Sequence, residues 1–168
     1  FAPGEHVVLE AQGIRRSYSL CGSPEEARAG RYRIAVKHVA GGRLSTLLHE
    51  RLAVGDTVGL EAPGGIFRLP TGGAQPVVLV AAGVGITPFL GHLEHLAGRA
   101  DAPPVTLYYG SRSGAEHAFR ERIAALARTI PSLRVVDLYS RPTEADRRAG
   151  AFAREGRITA DTIDAELI

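Results

Sequence analysis

Arg16 and Tyr18 are the first residues of the chain whose types and spacing could do chemistry. They lie two positions apart in a predicted β-strand, so one face of that strand carries Arg16, Tyr18 and Leu20. The other face carries Ser17 and Ser19, and Ser19 adds a hydrogen-bond donor. A guanidinium can bind phosphate oxygens bidentately, while a phenol packs against a flat ring. The pattern predicts either a site for a ligand with a phosphate and a conjugated ring, or an ordinary amphipathic strand with solvated charges.

A glycine-containing corner at residues 81–88 is the second candidate. Gly83 and Gly85 stand where a predicted buried strand turns into a helix. Glycines let a ligand approach the backbone, and the unpaired N–H groups of a helix start favour a phosphate. Thr87 is suited to cap the helix or to contact the ligand, and Pro88 fits the first helical turn. A Gly-x-Gly is also common in ordinary turns, but its position between strand and helix favours a phosphate site.

The composition is typical of a globular domain with a sizeable core, since 45% of the 168 residues are hydrophobic and 23% are charged. The 20 basic and 18 acidic residues are spread along the chain, which predicts no nucleic-acid partner. The single cysteine, Cys21, excludes an internal disulfide, a cysteine-ligated iron-sulfur cluster and a cysteine-rich zinc site, and it favours a cytoplasmic protein. No apolar run approaches the ~20 residues of a membrane span. The absence of methionine and the opening directly into a strand predict a piece of a longer protein.

The first part of the chain, residues 1–74, predicts an antiparallel β-domain with short connections. Ser45 and Thr46 directly precede a short predicted helix whose leucines share one side. Glycine and proline enrichment at residues 71–76 marks the predicted domain boundary. The predicted strands of this part are residues 6–10, 16–20, 31–39, 57–62 and 67–70.

The second part, residues 75–168, changes to a strand–helix alternation that predicts a βαβαβ unit, a parallel sheet with helices on both faces. A final helix is predicted from Ala160, with Ile163 and Leu167 facing inward. His92 and His95 are assigned to a solvated helix face. The predicted strands are residues 77–82, 105–109 and 133–139, and the predicted helices between them are residues 87–97 and 114–130.

Three motifs in sequence order resemble those of the ferredoxin-NADP reductase superfamily. Residues 16–19 are similar to its Arg-x-Tyr-Ser/Thr flavin-binding motif, and residues 42–46 to its Gly-x-x-Ser phosphate motif. Residues 83–88 are similar to its Gly-x-Gly-Ile/Val-Thr-Pro segment, which holds NAD(P)H. Residues 63–67 resemble its Pro-x-Gly-x-Phe closing turn. Within the superfamily, residues 116–119 are most similar to flavohaemoglobin and dioxygenase-reductase modules.

The resemblance implies an antiparallel Greek-key flavin barrel, incomplete here, followed by a Rossmann-like parallel βαβαβ nucleotide-binding domain. It also implies a flavin-dependent NAD(P)H oxidoreductase, in which hydride passes from NADPH or NADH to bound FAD or FMN. Electrons would continue to an iron-sulfur or haem acceptor on another domain or protein. The alternative function is a non-catalytic nucleotide- or flavin-binding module used in regulation or assembly.

The resemblance also implies roles for individual residues. Tyr18, Ser19 and Thr87 are the implied catalytic residues, with Tyr18 and Ser19 along the flavin ring and Thr87 guiding the nicotinamide. Two serine–arginine pairs near the adenosine ribose, 111–112 and 140–141, favour NADPH through its 2'-phosphate. The full set of implied cofactor-binding residues is Arg16, Tyr18, Ser19, Leu20, Val36, Lys37, Gly42, Leu44, Ser45, Thr46, Gly83, Gly85, Thr87, Pro88, Ser111, Arg112, Ser140 and Arg141.

The chain departs from the family pattern at both ends. Family members have further barrel strands before the opening Pro-Gly turn and a last strand leading to Cys-Gly-Pro, and Cys21 is not that cysteine because it follows the flavin motif. Activity of this fragment alone is therefore open. An arginine cluster that includes Arg157 is assigned to the surface, outside the site.

Overall fold

The structure is a computed structural model that describes residues 1–163, and it contains two β-sheets joined by helices and turns. The strands are β1 (His6–Ala11), β2 (Ile14–Ser19), β3 (Gly59–Leu60), β4 (Val77–Ala82), β5 (Val105–Ser111), β6 (Leu133–Tyr139) and β7 (Arg154–Glu155). The α-helices are α1 (Pro24–Arg28), α2 (Arg43–Glu50), α3 (Thr87–Leu96), α4 (Arg120–Thr129) and α5 (Glu144–Arg148). Short 3-10 helices cover Gly83–Ile86, Gly114–Glu116 and Ala160–Thr162. None of these helices is long and apolar enough to cross a membrane.

The first sheet is antiparallel, in the order β2-β1-β3. Gln12 and Gly13 form the two-residue turn between β1 and β2, with φ of 49° and 71°, and two positive φ values match the right-handed twist of a tight hairpin. Leu9 packs with Leu44 and Leu47 of α2, which closes one side of this sheet. The antiparallel architecture predicted for the first part of the chain is thereby confirmed.

Two of the predicted strands in this part do not form. Residues 31–39 meet the sheet at a single bridge, Leu20 with Ile34, and residues 67–70 are not a strand. The strand predicted at 57–62 is reduced to β3. An alternating sequence becomes a strand only where a neighbouring strand supplies a ladder of hydrogen bonds, and these segments meet little of one among the described residues.

The second sheet is parallel, in the order β4-β5-β6-β7, as the βαβαβ pattern predicted. Strand β5 is buried along nearly all of its length because it has neighbours on both edges and cover on both faces. Both crossover helices pack on one face, where Leu79 and Leu107 meet Leu93 of α3 and Ile123 of α4. On the opposite face Ile158 and Ile163, on either side of the 3-10 helix at Ala160–Thr162, pack against the cluster that contains Tyr108, so among the described residues neither crossover helix covers this face.

Two predicted helices differ at their ends. The helix expected at 114–130 breaks at Phe119, whose φ of 59° is left-handed, and α4 begins only after it. The helix expected from Ala160 is a single 3-10 turn with Ile163 after it, and Leu167 lies outside the described residues. The periodic spacing of apolar residues therefore located these segments, but it did not show where their helical hydrogen bonding begins or ends.

The two sheets meet along α3. A Cβ atom at Gly91 would lie 2.6 Å from the carbonyl oxygen of Leu20, so only glycine lets the helix approach the end of β2 this closely. Cys21 is buried in the same hydrophobic cluster as Ile86 and Leu90. The end of the first sheet is therefore held directly beside the corner at residues 83–87.

His92, on α3, is fully buried, which corrects its assignment to a solvated face. Neither of its ring nitrogens has a hydrogen-bond partner within residues 1–163. Burial lowers the pKa of His92 from 6.5 to about 4, so the imidazole is neutral at pH 7. A buried imidazole without a hydrogen bond lowers stability, and the described residues contain no cluster that could hold a metal ion.

We expect replacement of His92 by leucine to flatten the acid side of the stability profile. The unfolded chain takes up a proton near pH 6.5 and the folded chain only near pH 4, so stability falls as the pH drops through this interval. The variant should therefore lose up to about 3 kcal/mol less of its free energy of unfolding than wild type over this pH interval. Urea unfolding at several pH values measures it, with His49→Leu on the exposed side of α2 as control. Equal acid slopes in wild type and His92→Leu would contradict it.

Candidate functional site

A cleft of about 470 Å³ lies between the first sheet and the glycine corner, and we call it the first cleft. Its volume falls within the ~300–1,000 Å³ typical of ligand sites. Tyr18 and Thr87, the residues expected to meet a ring from opposite domains, both line it. Its full lining is Arg16, Ser17, Tyr18, Ser19, Ala35, Val36, Lys37, Val39, Gly42, Arg43, Leu44, Ser45, Val84 and Thr87.

Arg16 and Tyr18 line the first cleft from β2, and Ser17 and Ser19, which the alternation of that strand places on its other face, line it as well. The Arg16 side chain is exposed, and its guanidinium donates to the carbonyl of Arg15 at 2.7 Å. Partial burial raises the pKa of Tyr18, and the nearby charge of Arg16 opposes that change. The phenol is therefore protonated at neutral pH and can donate a hydrogen bond, beside a cation that is free to turn toward an anion.

Helix α2 presents its first turn to the same cleft. The helix begins at Arg43, so Ser45 lies within it and does not precede it as predicted. The Ser45 hydroxyl accepts from the N–H of Val39 at 3.3 Å and contacts the carbonyl of Gly42 at 3.2 Å, which closes the turn before the helix. The N–H groups of a first helical turn have no partner within the helix, and with the helix dipole they favour an anion.

The corner after β4 is a 3-10 turn that leads into α3. Gly83 has a φ of 52°, and a Cβ atom at Gly83 or Gly85 would meet no other atom within 4 Å. The Thr87 hydroxyl donates to the carbonyl of Val84 at 3.1 Å, and Pro88 occupies the first turn of α3, as predicted. The glycines thus leave open space beside the corner, where a ligand could approach the backbone.

A second cleft, of about 810 Å³, continues from the first along the same corner. The two clefts share residues 35–37 and Val84. In the second cleft Arg112 forms an ion pair with Glu116 at 3.4 Å, and both side chains are well exposed. Its full lining is Ala35, Val36, Lys37, Ala82, Gly83, Val84, Gly110, Ser111, Arg112, Glu116, Ala118, Phe119, Ser140, Gly156, Arg157 and Ile158.

A third, smaller cleft of about 350 Å³ lies on the other side of β2. Ser17 and Ser19 border both this cleft and the first one. Pro88 lines the third cleft and neither of the larger two. Ser19 is therefore reached from two sides.

The structure brings most of the expected residues together around the first two clefts, with a few exceptions. Leu20 is fully buried and lines none of the three clefts. Thr46, Gly85 and Arg141 also line none of them. Ser111 and Arg112 therefore both line the second cleft, whereas only the serine of the 140–141 pair does.

Several lining residues were missed by the sequence reasoning. Arg43 adds a third cationic side chain to the first cleft, beside Arg16 and Lys37, and the start of α2 was the signal that could have found it. Arg157 lines the second cleft, although it was assigned to the surface. Glu116 joins it from the 3-10 helix and Phe119 from the residue before α4, in a segment that was predicted to be one α-helix, so their orientation could not be read from α-helical spacing.

Comparisons with known proteins agree with this arrangement. The family model described as an oxidoreductase FAD-binding domain matches residues 1–69, and the one described as an oxidoreductase NAD-binding domain matches residues 79–167. A flavohemoprotein of Bordetella pertussis is 37% identical over 177 residues, which cover 100% of this chain and 44% of the relative. The chain thus spans less than half the length of the curated relatives it matches.

Solved structures give the same result. The FAD/NAD-binding domain of a nitric oxide dioxygenase from Vibrio cholerae matches with a TM-score of 0.78 at 29% identity, over 100% of this chain and 69% of the other. A flavohemoglobin from Malassezia yamatoensis with bound FAD and heme matches with a TM-score of 0.78 at 26% identity, over 97% and 42%. With both family models matched in order, the chain belongs to the ferredoxin-NADP reductase superfamily and consists of an FAD-binding part followed by an NAD-binding part.

Proposed function

We propose that this chain is the reductase part of an electron-transfer protein, which takes hydride from NAD(P)H onto bound FAD and passes electrons to a separate acceptor. One observation carries the proposal: Tyr18 and Ser19 line the same cleft as Val84 and Thr87 of the nucleotide corner. Hydride transfer requires two rings held in contact and no strong acid or base, so a shared cleft is the geometry it needs.

The residues of the first cleft fit FAD. Arg16, Arg43 and the first turn of α2 offer positive charge and N–H donors for its phosphates. Tyr18 offers an aromatic face and Ser19 a hydroxyl for the ring system. FAD, when bound, accepts a hydride and gives up electrons singly, which the side chains of this cleft cannot do themselves. The side chains of the first cleft would hold and orient the FAD.

The second cleft fits the nucleotide part of NAD(P)H. Gly83 lines the second cleft and leaves room beside the corner for a pyrophosphate. Thr87 lines the adjoining first cleft. Arg112 and Arg157 offer charge for a 2'-phosphate, whereas Glu116 offers an acceptor for a free 2'-hydroxyl. Because Glu116 already pairs with Arg112, the expected preference for NADPH remains a prediction to be measured.

The division into two domains, at 1–74 and 75–168, is part of the proposal. It is supported by the two family models, whose matches leave residues 70–78 between them. It is also supported by the change from an antiparallel sheet to a parallel one.

A haem group is the proposed acceptor, on another domain or protein. The support is the naming of relatives as flavohemoproteins and the bound heme of the similar flavohemoglobin. An iron-sulfur cluster is the alternative acceptor. We also propose that the protein is cytoplasmic.

The test is an anaerobic titration of the FAD-loaded protein with NADPH and, separately, NADH. We expect the absorbance of oxidised flavin to disappear on addition of at least one nucleotide, and the ratio of kcat/KM gives the preference. Loss of absorbance with dithionite but with neither nucleotide would refute the proposal. A protein that binds NADPH but no flavin would instead indicate the non-catalytic module.

A further inference from the structure

Tyr109 is a buried residue that none of the proposed binding roles uses. It lies in β5, on the face that packs against α3 and α4, and its side chain is fully buried. Its hydroxyl donates to the carbonyl of Gly83 at 3.0 Å. Burial raises the pKa of Tyr109, so the hydroxyl keeps its proton and remains a donor. The hydrogen bond joins the core of the sheet to the corner between the two clefts.

This hydrogen bond fixes the direction of one backbone group. In a planar trans peptide the C=O and the next N–H point in opposite directions. Because the carbonyl of Gly83 points to the buried Tyr109, the N–H of Val84 points away from the core. Val84 lines both clefts and is 45% exposed, so this N–H faces their common side. The Gly83 carbonyl also belongs to the 3-10 turn at residues 83–86, so Tyr109 adds a second hydrogen bond, from the core, to this peptide.

Tyr109 contacts the aromatic ring of His117, which is in turn held by Tyr139. The ring of His117 meets it edge to face, with ring centroids 4.9 Å apart. His117 Nδ1 lies 2.7 Å from the hydroxyl of Tyr139, and Tyr139 stacks on Phe152. The network therefore ties the ends of two parallel strands to the loop that carries the wall of the second cleft, and it leaves Tyr109 little freedom to move.

We infer that Tyr109 is a positioning residue, which orients the Gly83–Val84 peptide so that its N–H meets the pyrophosphate of the pyridine nucleotide. This inference rests on the proposed function of the second cleft. A preoriented donor lowers the cost of ordering the corner when the ligand binds. The expected effect is on nucleotide binding, because Gly83, whose carbonyl Tyr109 holds, lines the second cleft and not the first.

The test compares Tyr109→Phe with Tyr108→Phe in the FAD-loaded protein. Tyr108 is also fully buried but lies on the opposite face of the sheet, so it controls for loss of a buried hydroxyl. Tyr109→Phe should raise KM for the reducing nucleotide about threefold to tenfold, the loss of one hydrogen bond, with kcat within about twofold. FAD occupancy and spectrum should be unchanged. An unchanged KM, or an equal rise in Tyr108→Phe, overturns the inference.

A second measurement needs no variant. In the wild-type holoprotein, ADP-ribose should slow hydrogen exchange of the backbone amides at residues 83–86, and the absence of such protection also overturns the inference. The two failures are distinguishable: if wild type is reduced by neither nucleotide, the proposed function itself fails. If wild type is reduced normally and Tyr109→Phe behaves like wild type, only the positioning role fails.

Discussion

Arg16→Ala is expected to empty the flavin site. Arg16 lines the first cleft from the middle of β2 and is paired with no carboxylate among residues 1–163, so its charge is available to a phosphate. A charge-assisted hydrogen bond contributes about 1.5–3 kcal/mol, which corresponds to a Kd for FAD raised about 10- to 100-fold. The purified variant should hold less than about a tenth of the FAD of wild type, measured by absorbance after gel filtration.

Arg15→Ala is the matched control for this prediction. It removes the same charge from the neighbouring position of the same strand, but Arg15 pairs with Glu10 and Glu61 and does not line the first cleft. Both variants should unfold at similar temperatures. Equal FAD retention by the two variants would mean that the phosphate is held elsewhere, with Arg43 and the first turn of α2 as the next candidates.

Local signals explain what could be predicted from the sequence. Strands β4 and β6 run over the predicted residues, because both are short, rich in valine and leucine and followed by a turn. The corner at residues 83–88 was located by its two glycines and its proline, each of which has a local backbone reason to be there. The alternation in β2 predicted Arg16 and Tyr18 on one face, and both line the first cleft, together with Ser17 and Ser19 from the other face.

Features that depend on distant neighbours were not predictable in this way. Residues 31–39 alternate like a strand, yet pairing requires a partner that the described residues supply at one bridge only. His92 has a polar side chain on an amphipathic helix, and its burial follows from the close approach of α3 to the end of β2 at Gly91. The turn of the chain at Phe119 depends on a left-handed backbone that helix propensity does not reveal.

The residues of the second cleft show the same limit most clearly. Ser111 ends β5 and Ser140 directly follows the neighbouring β6, so their proximity follows from the order of a parallel sheet. Arg157 and Ile158 reach the cleft from beyond β7, a two-residue strand that has no clear pattern in the sequence. Recognising them required the full path of the chain.

Gly83→Val is expected to abolish reduction of the flavin by nucleotide while leaving the flavin bound. The backbone at Gly83 is left-handed, and a β-branched side chain there adds strain of about 1–3 kcal/mol. A Cβ at this position meets no protein atom within 4 Å, so the valine would project into the open space proposed for the pyrophosphate. We expect the rate of flavin reduction by NAD(P)H, measured by stopped-flow absorbance, to fall at least about 100-fold.

The strain and the obstruction can be separated with Gly98→Val. Gly98 also has a positive φ, 75°, and its Cβ position is also open, but it follows α3 and lines neither large cleft. Both variants should lose similar thermal stability, and dithionite should reduce the FAD in both. Only Gly83→Val should lose reduction by nucleotide, because only there does the new side chain occupy the ligand's place. If Gly98→Val were slowed equally, backbone strain would account for the effect, and the corner would lose its assignment as the nucleotide site.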